Sequence, residues 1–378
     1  MKSNLMNICL LLTGCAFLAY ILLMGFNDFL PQMLFLSEIK QRGTKEKSEW
    51  ERTEALIPRT KDSRCDEQLM SFPVFTNQLF TQFGRRFSCD LLPYLKNFGL
   101  LTTGSYEAPV DFQDDEVAFI TYASSNHFAE SRAAILSLRS NNFTNKIIYY
   151  NLGLSSSDVD ELRGICNLEV RHFNFSTYPR FVKNLLGYHF KPIIIAEIYR
   201  EFKAFWIIDS SIRFVNLTEW RRFNERVRSG AVESFALRLT ADHSIFAATQ
   251  AGMYEYLPLN VSIARKNMMF AAHTMFVVRS SFAKEAVKWS VLCALTKDCI
   301  DPPHAELFCY FVNGRFGDFA NCHRFDQSSI NLILNSLKQR MAIPYQIEAN
   351  GTIRDGFVPF GDVKRGDVIW EKLDPIKC

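Results

Sequence analysis

Short apolar runs alternate with helix-like segments between residues 115 and 340. A short apolar run is typical of a buried strand, and apolar residues at three- or four-residue spacing are typical of a helix packed on a sheet. The predicted strands are 117–123, 146–154, 168–175, 203–214 and 273–281. The predicted helices are 124–140, 155–165, 191–202, 282–295 and 326–339. This alternation predicts an α/β, Rossmann-like domain with a mainly parallel sheet flanked by helices.

The N-terminal segment 5–26 is apolar and carries no charged side chain. A helix of this length spans roughly the 30 Å hydrocarbon core of a bilayer, whereas a cleaved signal peptide needs an apolar stretch of only about 7–15 residues. The pattern therefore predicts a transmembrane anchor preceded by a cytosolic tail, residues 1–4. Residues 27–67 are rich in charges and predict a stem, 68–114 predict a lead-in packed on the main domain, and 115–378 form that domain.

Cysteines and glycosylation sequons favour a lumenal location for the C-terminal part. Eight of the ten cysteines follow the anchor, and an even number fits disulfide bonds in an oxidising compartment. The alternative is a zinc site, with the conceivable ligands Cys299, Cys309, Cys322 and His323. Five sequons begin at Asn142, Asn174, Asn216, Asn260 and Asn350. Together these features predict a type II, single-pass glycoprotein of the Golgi or endoplasmic reticulum membrane.

Composition narrows the function class. Hydrophobic residues make up 48% of the chain and charged residues 22%, which is typical of a globular protein. The formal net charge is only +3, so we expect no nucleic-acid partner. The 34 Phe residues predict a phenylalanine-rich core.

Candidate catalytic and binding residues lie where predicted strands end, because ligands of open parallel sheets bind at the carboxyl ends of the strands. The strand within 203–214 reaches Asp209, and Ser211 and Arg213 follow at alternate positions on the same predicted face. Asp-x-Asp at this place would bind a divalent cation, but this chain has Asp-Ser-Ser. After the first strand, Ser124 and Asn126 are candidates for anion binding at a helix start, with ordinary helix capping as the alternative.

Several strings in this region resemble a known group of proteins. The strings are YYNLGLS, FNFSTYP, KPIIIAE, IDSSIRF, HSIFAAT and CHRFDQSSIN. They resemble a nematode-expanded family of uncharacterised single-pass membrane proteins with a GT-A glycosyltransferase-like domain. The order of strands and helices over roughly residues 115–340 is similar to that of GT-A glycosyltransferases.

The resemblance implies roles for particular residues. Asp209 would contact a metal, Mn²⁺ or Mg²⁺, or the ribose of the nucleotide, while Ser211 stands at the second carboxylate position and removes half of the chelate. Asp326 and Gln327 match an Asp-Gln pair near the donor and acceptor sugars; an N-cap is the alternative for this pair. Lys191 matches a basic residue that meets the diphosphate, with a solvated lysine as the alternative.

Histidines are weaker candidates. His243 and His273 lie beside apolar segments and would hold a sugar hydroxyl, act as a base or complete a metal site. The alternative for each is a buried core histidine. Glu306 and His323 are the weakest candidates for site residues.

The expected function is transfer of a sugar from a nucleotide-sugar donor to a glycan or glycoprotein acceptor. One alternative is a catalytically inactive lumenal glycan-binding or scaffold protein on the same fold. Another is a glycosidase, which would need Asp209 and Asp326 on opposite sides of a sugar, roughly 5–10 Å apart.

Overall fold

The computed structural model describes residues 44–45, 47–53, 55–56, 70–101, 106–214 and 217–341. The chain divides into two compact units, and the second begins at Glu49 and contains every element named below. The predicted tail, the predicted anchor 5–26 and most of the predicted stem lie outside the described residues. Among the helices that are described, none has the length and apolar character needed to cross a bilayer.

Strands and helices follow one another closely from residue 73 to residue 341. The strands are β1 (Pro73–Thr76), β2 (Leu79–Phe83), β3 (Ala118–Ala123), β4 (Ile147–Asn151), β5 (Leu168–His172), β6 (Ala204–Ile208), β7 (Phe235–Leu237), β8 (Thr240–Ser244), β9 (Met268–Phe270) and β10 (Thr274–Val278). The helices are α1 (Leu92–Asn97), α2 (Phe128–Ser140), α3 (Ser156–Arg163), α4 (Phe190–Glu201), α5 (Leu217–Arg228), α6 (Ala251–Tyr256), α7 (Val261–Lys266), α8 (Ser281–Ala294), α9 (Lys297–Ile300) and α10 (Phe325–Met341). All five strands and all five helices predicted between residues 115 and 340 are present.

The central sheet has six strands in the order β5-β4-β3-β6-β10-β7. The pairs β3–β4, β4–β5 and β3–β6 are parallel, whereas β10 runs antiparallel to both of its neighbours. The predicted α/β class with a mainly parallel sheet is therefore confirmed. The chain moves outward from β3 to β5 and then returns to β6 on the other side of β3, so the strand order reverses between β3 and β6.

The sheet separates two hydrophobic cores. Alternate residues of each central strand enter opposite cores, as with Ile120 and Phe119 of β3. Helices α4, α8 and α10 cover one face, and α2, α3 and α5 cover the other. Much of the predicted phenylalanine-rich core is found here, for example in Phe119, Phe205 and Phe276, each no more than 1% exposed.

Two predicted boundaries are wrong in a way that matters for the site. The strand predicted to run to residue 214 ends at Ile208, because a turn begins in which Ile212 N–H donates to Asp209 C=O at 3.0 Å. Ser211 therefore lies in a turn, and the strand alternation that placed it on the face of Asp209 does not apply. The helix expected after β3 begins only at Phe128, and no side chain caps it.

Disulfide bonds account for the cysteines that a zinc site would need. Cys299 is bonded to Cys293, and Cys309 to Cys322. Both ring nitrogens of His323 are engaged with backbone groups, those of Gln250 and Ile300. The zinc alternative is therefore wrong. Cys89 and Cys166 are also disulfide-bonded.

Candidate active site

The candidate site lies where the strand order of the sheet reverses. Tyr122 is near the end of β3, and Asp209 directly follows β6. The Tyr122 hydroxyl donates a hydrogen bond to Asp209 Oδ1. In open α/β sheets the crevice at such a reversal is where ligands bind, because the loops on either side diverge there. Asp209 lies at this reversal, where the rule places the ligand crevice, and its side chain is 25% exposed.

Lys191 lies beneath Asp209 and is only 3% exposed. Pro192 fits the first turn of α4, where its missing N–H costs nothing, and this fixes Lys191 at the start of the helix. Its ammonium lies 3.2 Å from Asp209 Oδ1 and 2.8 Å from Asp326 Oδ2. The ammonium also donates to the carbonyl of Ala272 at 3.2 Å. The contact with Asp326 is an ion pair, whereas the ammonium donates hydrogen bonds to the carbonyl of Ala272 and to Asp209 Oδ2, the latter at 3.4 Å.

Asp326 completes this buried cluster from α10. The sequence left an N-cap as one role for this residue, but α10 begins at Phe325, and the Asp326 carboxylate contacts Lys191. Asp326 is 7% exposed. Lys191, Asp209 and Asp326 were each named from the sequence, and the structure brings them together.

Two aromatic residues in left-handed backbone conformation border the cluster. Tyr188 has φ 53° and Phe325 has φ 41°, and their rings lie 5.8 Å apart. The Tyr188 ring lies 5.6 Å from the ammonium of Lys191, and the Tyr122 ring 5.7 Å from it. Bulky residues rarely adopt this conformation, at a cost of about 1–3 kcal/mol each, and such strain concentrates at functional sites. The surrounding structure must therefore hold Tyr188 and Phe325 in these conformations.

Burial and charge act against each other in the cluster. Burial disfavours the ammonium, but the charges of Asp209 and Asp326 outweigh it and hold the pKa of Lys191 well above its ordinary value. Burial raises the pKa of Asp326, with Lys191 opposing that change. Burial and the Asp209 charge raise the pKa of the Tyr122 hydroxyl, so it stays protonated and donates. Lys191 is therefore charged in the folded protein.

A second set of polar groups lies on the other side of Asp209 and is partly exposed. Glu130 Oε2 accepts from Ser210 Oγ at 3.1 Å and lies 3.1 Å from His127 Nδ1. Arg213 donates to the carbonyls of Ser210 and Ile212. Ser124 Oγ donates to Asn126 Oδ1 at 2.6 Å, so the two side chains support one another rather than capping α2. Glu130 was not anticipated from the sequence.

A third set is cationic and comes from the end of the long loop before α10. Burial lowers the pKa of Arg324, and the charge of Arg315 lowers it further, while Tyr188 opposes the change. His243, predicted as a site residue, is 3% exposed, and burial lowers its pKa, with further lowering by Arg324 and Arg315. The rings of His243 and Phe311 lie 5.3 Å apart. Arg324 was not predicted as a site residue from the sequence, although it lies two residues before Asp326.

The remaining predicted residues have mainly backbone or peripheral positions. The carbonyl of His273 accepts from Asp209 N–H at 2.9 Å, while its ring contacts Thr274. Gln327 is half-buried in the first turn of α10, and its N–H donates to Arg324 C=O. Glu306 is exposed, with its carbonyl bonded to His323 N–H.

Three of the predicted glycosylation sites are described, and all three asparagines are exposed: Asn142, Asn174 and Asn260. Asn216 and Asn350 lie outside the described residues. Exposure is what glycosylation of these sequons requires.

The residues around Asp209 do not fit a divalent cation. Within the part of the chain that the structure describes, no three side chains of the metal-binding types converge. Asp209 and Asp326 do converge, but the ammonium of Lys191 lies between their carboxylates. Ser211, at the position of the second carboxylate, lies in the turn after β6.

Comparisons with known proteins concern part of the chain. The sequence model of a family described as "Protein of unknown function (DUF1647)" matches residues 63–196. No curated protein matches the sequence.

Three solved structures that are similar in fold are two glycosyltransferases and a core-mannan synthase. The galactosyltransferase LgtC, in complex with donor and acceptor sugar analogues, is 10% identical, with 58% of this chain and 70% of LgtC covered and a TM-score of 0.35. The bifunctional glycosyltransferase WbbM is 16% identical, with 61% and 46% covered and a TM-score of 0.35. Core-mannan synthase A from Aspergillus fumigatus, in its Mn/GDP form, is 10% identical, with 61% and 72% covered and a TM-score of 0.33.

Proposed function

We propose that this protein is a glycosyltransferase that moves a sugar from a nucleotide-diphosphate donor to a glycan or glycoprotein. One observation carries the proposal: Asp209 stands partly exposed where the strand order reverses, held from below by Lys191 and Tyr122. A carboxylate fixed at this edge suits the hydroxyl groups of a nucleotide sugar. The partly exposed groups beside it supply further hydrogen bonds.

The chemistry of the transfer sets the demands on the site. The acceptor oxygen bonds to the anomeric carbon, the bond to the diphosphate oxygen breaks with its electron pair, and the hydroxyl proton passes to water. Negative charge therefore develops on the diphosphate, and positive groups held in place would stabilise it. Two arginines are candidates: Arg213 lies in the segment that follows Asp209, and Arg324 directly precedes Phe325, whose ring lies 5.8 Å from that of Tyr188.

The structure gives no support to a glycosidase built on Asp209 and Asp326. Both carboxylates contact the same ammonium, so the space between them is filled by Lys191. A glycosidase needs that space for the sugar and, in inverting enzymes, for a water molecule as well.

Donor turnover tests the proposal. The purified full chain would be incubated with UDP- and GDP-sugars and an acceptor extract, and released nucleotide would be measured. We expect release from one donor, and a loss of about 100-fold or more in Asp209→Asn, which keeps the shape but not the charge. Asp160→Asn, at an exposed position on α3, is the matched control and should keep full activity.

Absence of release from every donor by a folded protein would contradict the proposal. It would favour the alternative of an inactive glycan-binding or scaffold protein. Binding of a donor without turnover would favour the same alternative, because a lost catalytic function leaves the binding site in place.

We also propose that the domain faces the lumen of the Golgi or endoplasmic reticulum, as part of a type II membrane protein. Disulfide bonds, typical of oxidising compartments, support this, and so does the exposure of Asn142, Asn174 and Asn260. Treatment of the protein from secretory cells with an N-glycosidase should lower its apparent mass. A mass that does not change would contradict the lumenal orientation.

A further inference from the structure

The charge balance of the buried cluster already includes a cation. Asp209 and Asp326 lie on either side of one ammonium, and without it the two carboxylates would repel each other in a largely buried setting. In many phosphate-binding sites a divalent cation relieves such repulsion, and it takes six or more oxygen ligands. Here the ammonium of Lys191 lies 3.2 Å from one carboxylate and 2.8 Å from the other.

Several contacts hold the ammonium of Lys191 in place. The ammonium also donates a hydrogen bond to the carbonyl of Ala272, at 3.2 Å. The rings of Tyr122 and Tyr188 lie against it, and the side chain is 4% exposed. A divalent cation at this place would meet a fixed positive charge, and it would find two carboxylates where it needs a larger oxygen set.

Lys191 is buried and its charge is shared between two carboxylates, so it is not exposed to bind a diphosphate as well. A different cation must therefore meet the donor's phosphates. Arg324 has the required features: it is half-buried, and it directly precedes Phe325, whose ring lies 5.8 Å from that of Tyr188 at the rim of the crevice. Among the described residues no carboxylate pairs with its guanidinium. The backbone of Arg324 is fixed, since its N–H donates to the carbonyl of Ala248 at 3.2 Å.

We infer that the site binds a nucleoside diphosphate without a divalent cation: Lys191 takes the cation's place between Asp209 and Asp326, and Arg324 supplies the charge that meets the diphosphate. This inference rests on the proposed function, since it concerns the donor of that reaction. A planar guanidinium suits the task, because it donates two parallel hydrogen bonds to phosphate oxygens.

Calorimetric titration of the full chain with UDP, GDP, ADP and CDP tests the inference, each in EDTA and again in excess Mn²⁺. We expect one nucleotide to bind with a dissociation constant that differs less than about threefold between the two conditions. Arg324→Gln should weaken that binding by about tenfold to a hundredfold, as loss of a charge-assisted hydrogen bond does. Arg163→Gln, an exposed arginine on α3, is the matched control and should bind as the unchanged protein does.

A second measurement follows Mn²⁺ itself by electron paramagnetic resonance, without nucleotide. We expect the protein to leave the signal of free Mn²⁺ unchanged up to millimolar concentration. Tight Mn²⁺ binding, or nucleotide binding that disappears in EDTA, would overturn the inference and leave the proposed function standing. Equal affinity in Arg324→Gln would overturn the role of Arg324. Failure of every nucleotide to bind under both conditions would contradict the proposed function as well.

Discussion

The two sides of Asp209 differ in how they hold their charges. On the closed side, Tyr122, Lys191 and Asp326 are each at most 7% exposed. Tyr122 donates to Asp209, and Lys191 contacts the carboxylates of both Asp209 and Asp326. On the open side, which comprises Ser124, Asn126, Glu130, Ser210 and Arg213, every side chain is in partial contact with water.

The difference shows that Asp209 lies between two environments, one suited to stabilising the fold and one suited to binding a ligand. Water screens the open side and relaxes around a changed charge there, so its groups are adaptable and suited to a ligand. The closed side has little water, and a charge removed there leaves its partner buried and unpaired. We therefore expect substitutions on the closed side to act on stability, and those on the open side to act on ligand binding.

Lys191→Met, on the closed side, should have the largest effect on stability. It leaves Asp209 and Asp326 without a counter-ion, so we expect the free energy of unfolding to fall by about 3–5 kcal/mol. Chemical denaturation measures the loss. The control is Lys203→Met at an exposed ion pair with Glu116, where the loss should stay below about 1 kcal/mol. Similar small losses in both variants would show that the closed side is not held by charge.

Acid should weaken the protein through His323, which lies behind the closed side and contacts Phe325. Burial lowers the pKa of His323 from 6.5 to about 4, and the hydrogen bond to the carbonyl of Ile300 opposes this change. Nδ1 accepts from Gln250 N–H and Nε2 lies 3.0 Å from Ile300 C=O, which fits the neutral ring. A lowered folded-state pKa means that stability is fully present above pH 6.5 and is lost as the pH falls toward 4.

The expected loss between pH 7 and pH 4 is about 3 kcal/mol from this one histidine. Denaturation midpoints across that range measure it. In His323→Gln the dependence on pH should be shallower by that amount, whatever the stability of the variant at pH 7. Parallel curves for the two proteins would rule out His323 as the cause.

Glu130→Gln should have the smallest effect on folding. The substitution preserves the shape of the side chain and its bond to Ser210, so we expect a change of about 1 kcal/mol or less in the free energy of unfolding. In the donor assay, we expect the effect of Glu130→Gln on nucleotide release to be larger than its effect on stability. A loss as large as that of Lys191→Met would place Glu130 with the closed side instead.

The sequence predicted the regular part of the fold well. The helix predicted at 191–202 is Phe190–Glu201, because an apolar period and a proline near its start mark it clearly. The strand predicted at 203–214 was too long because Ile212 and Phe214 are buried after the turn, just as they would be in a strand. An apolar period alone does not distinguish these two cases.

The sequence predicted which residues form the site better than it predicted how they are arranged. Lys191, Asp209 and Asp326 were named separately, but nothing in their spacing showed that one ammonium would lie between the two carboxylates. Tyr122 and Tyr188 were missed because an aromatic residue beside an apolar run is typical of a core. The signal for Arg324 was its place beside the Asp-Gln pair.

The position of Asp326 on α10 ties the site to the order in which the chain is made. Helix α4 and strand β6 leave the ribosome well before α10, so a growing chain holds Lys191 beside Asp209 alone. Its second carboxylate arrives only when α10 docks against α8. A chain that stops before Phe325 would have every strand of the sheet and an incomplete charge balance beneath it. Both carboxylates of the cluster are therefore present only after the last described helix has been made.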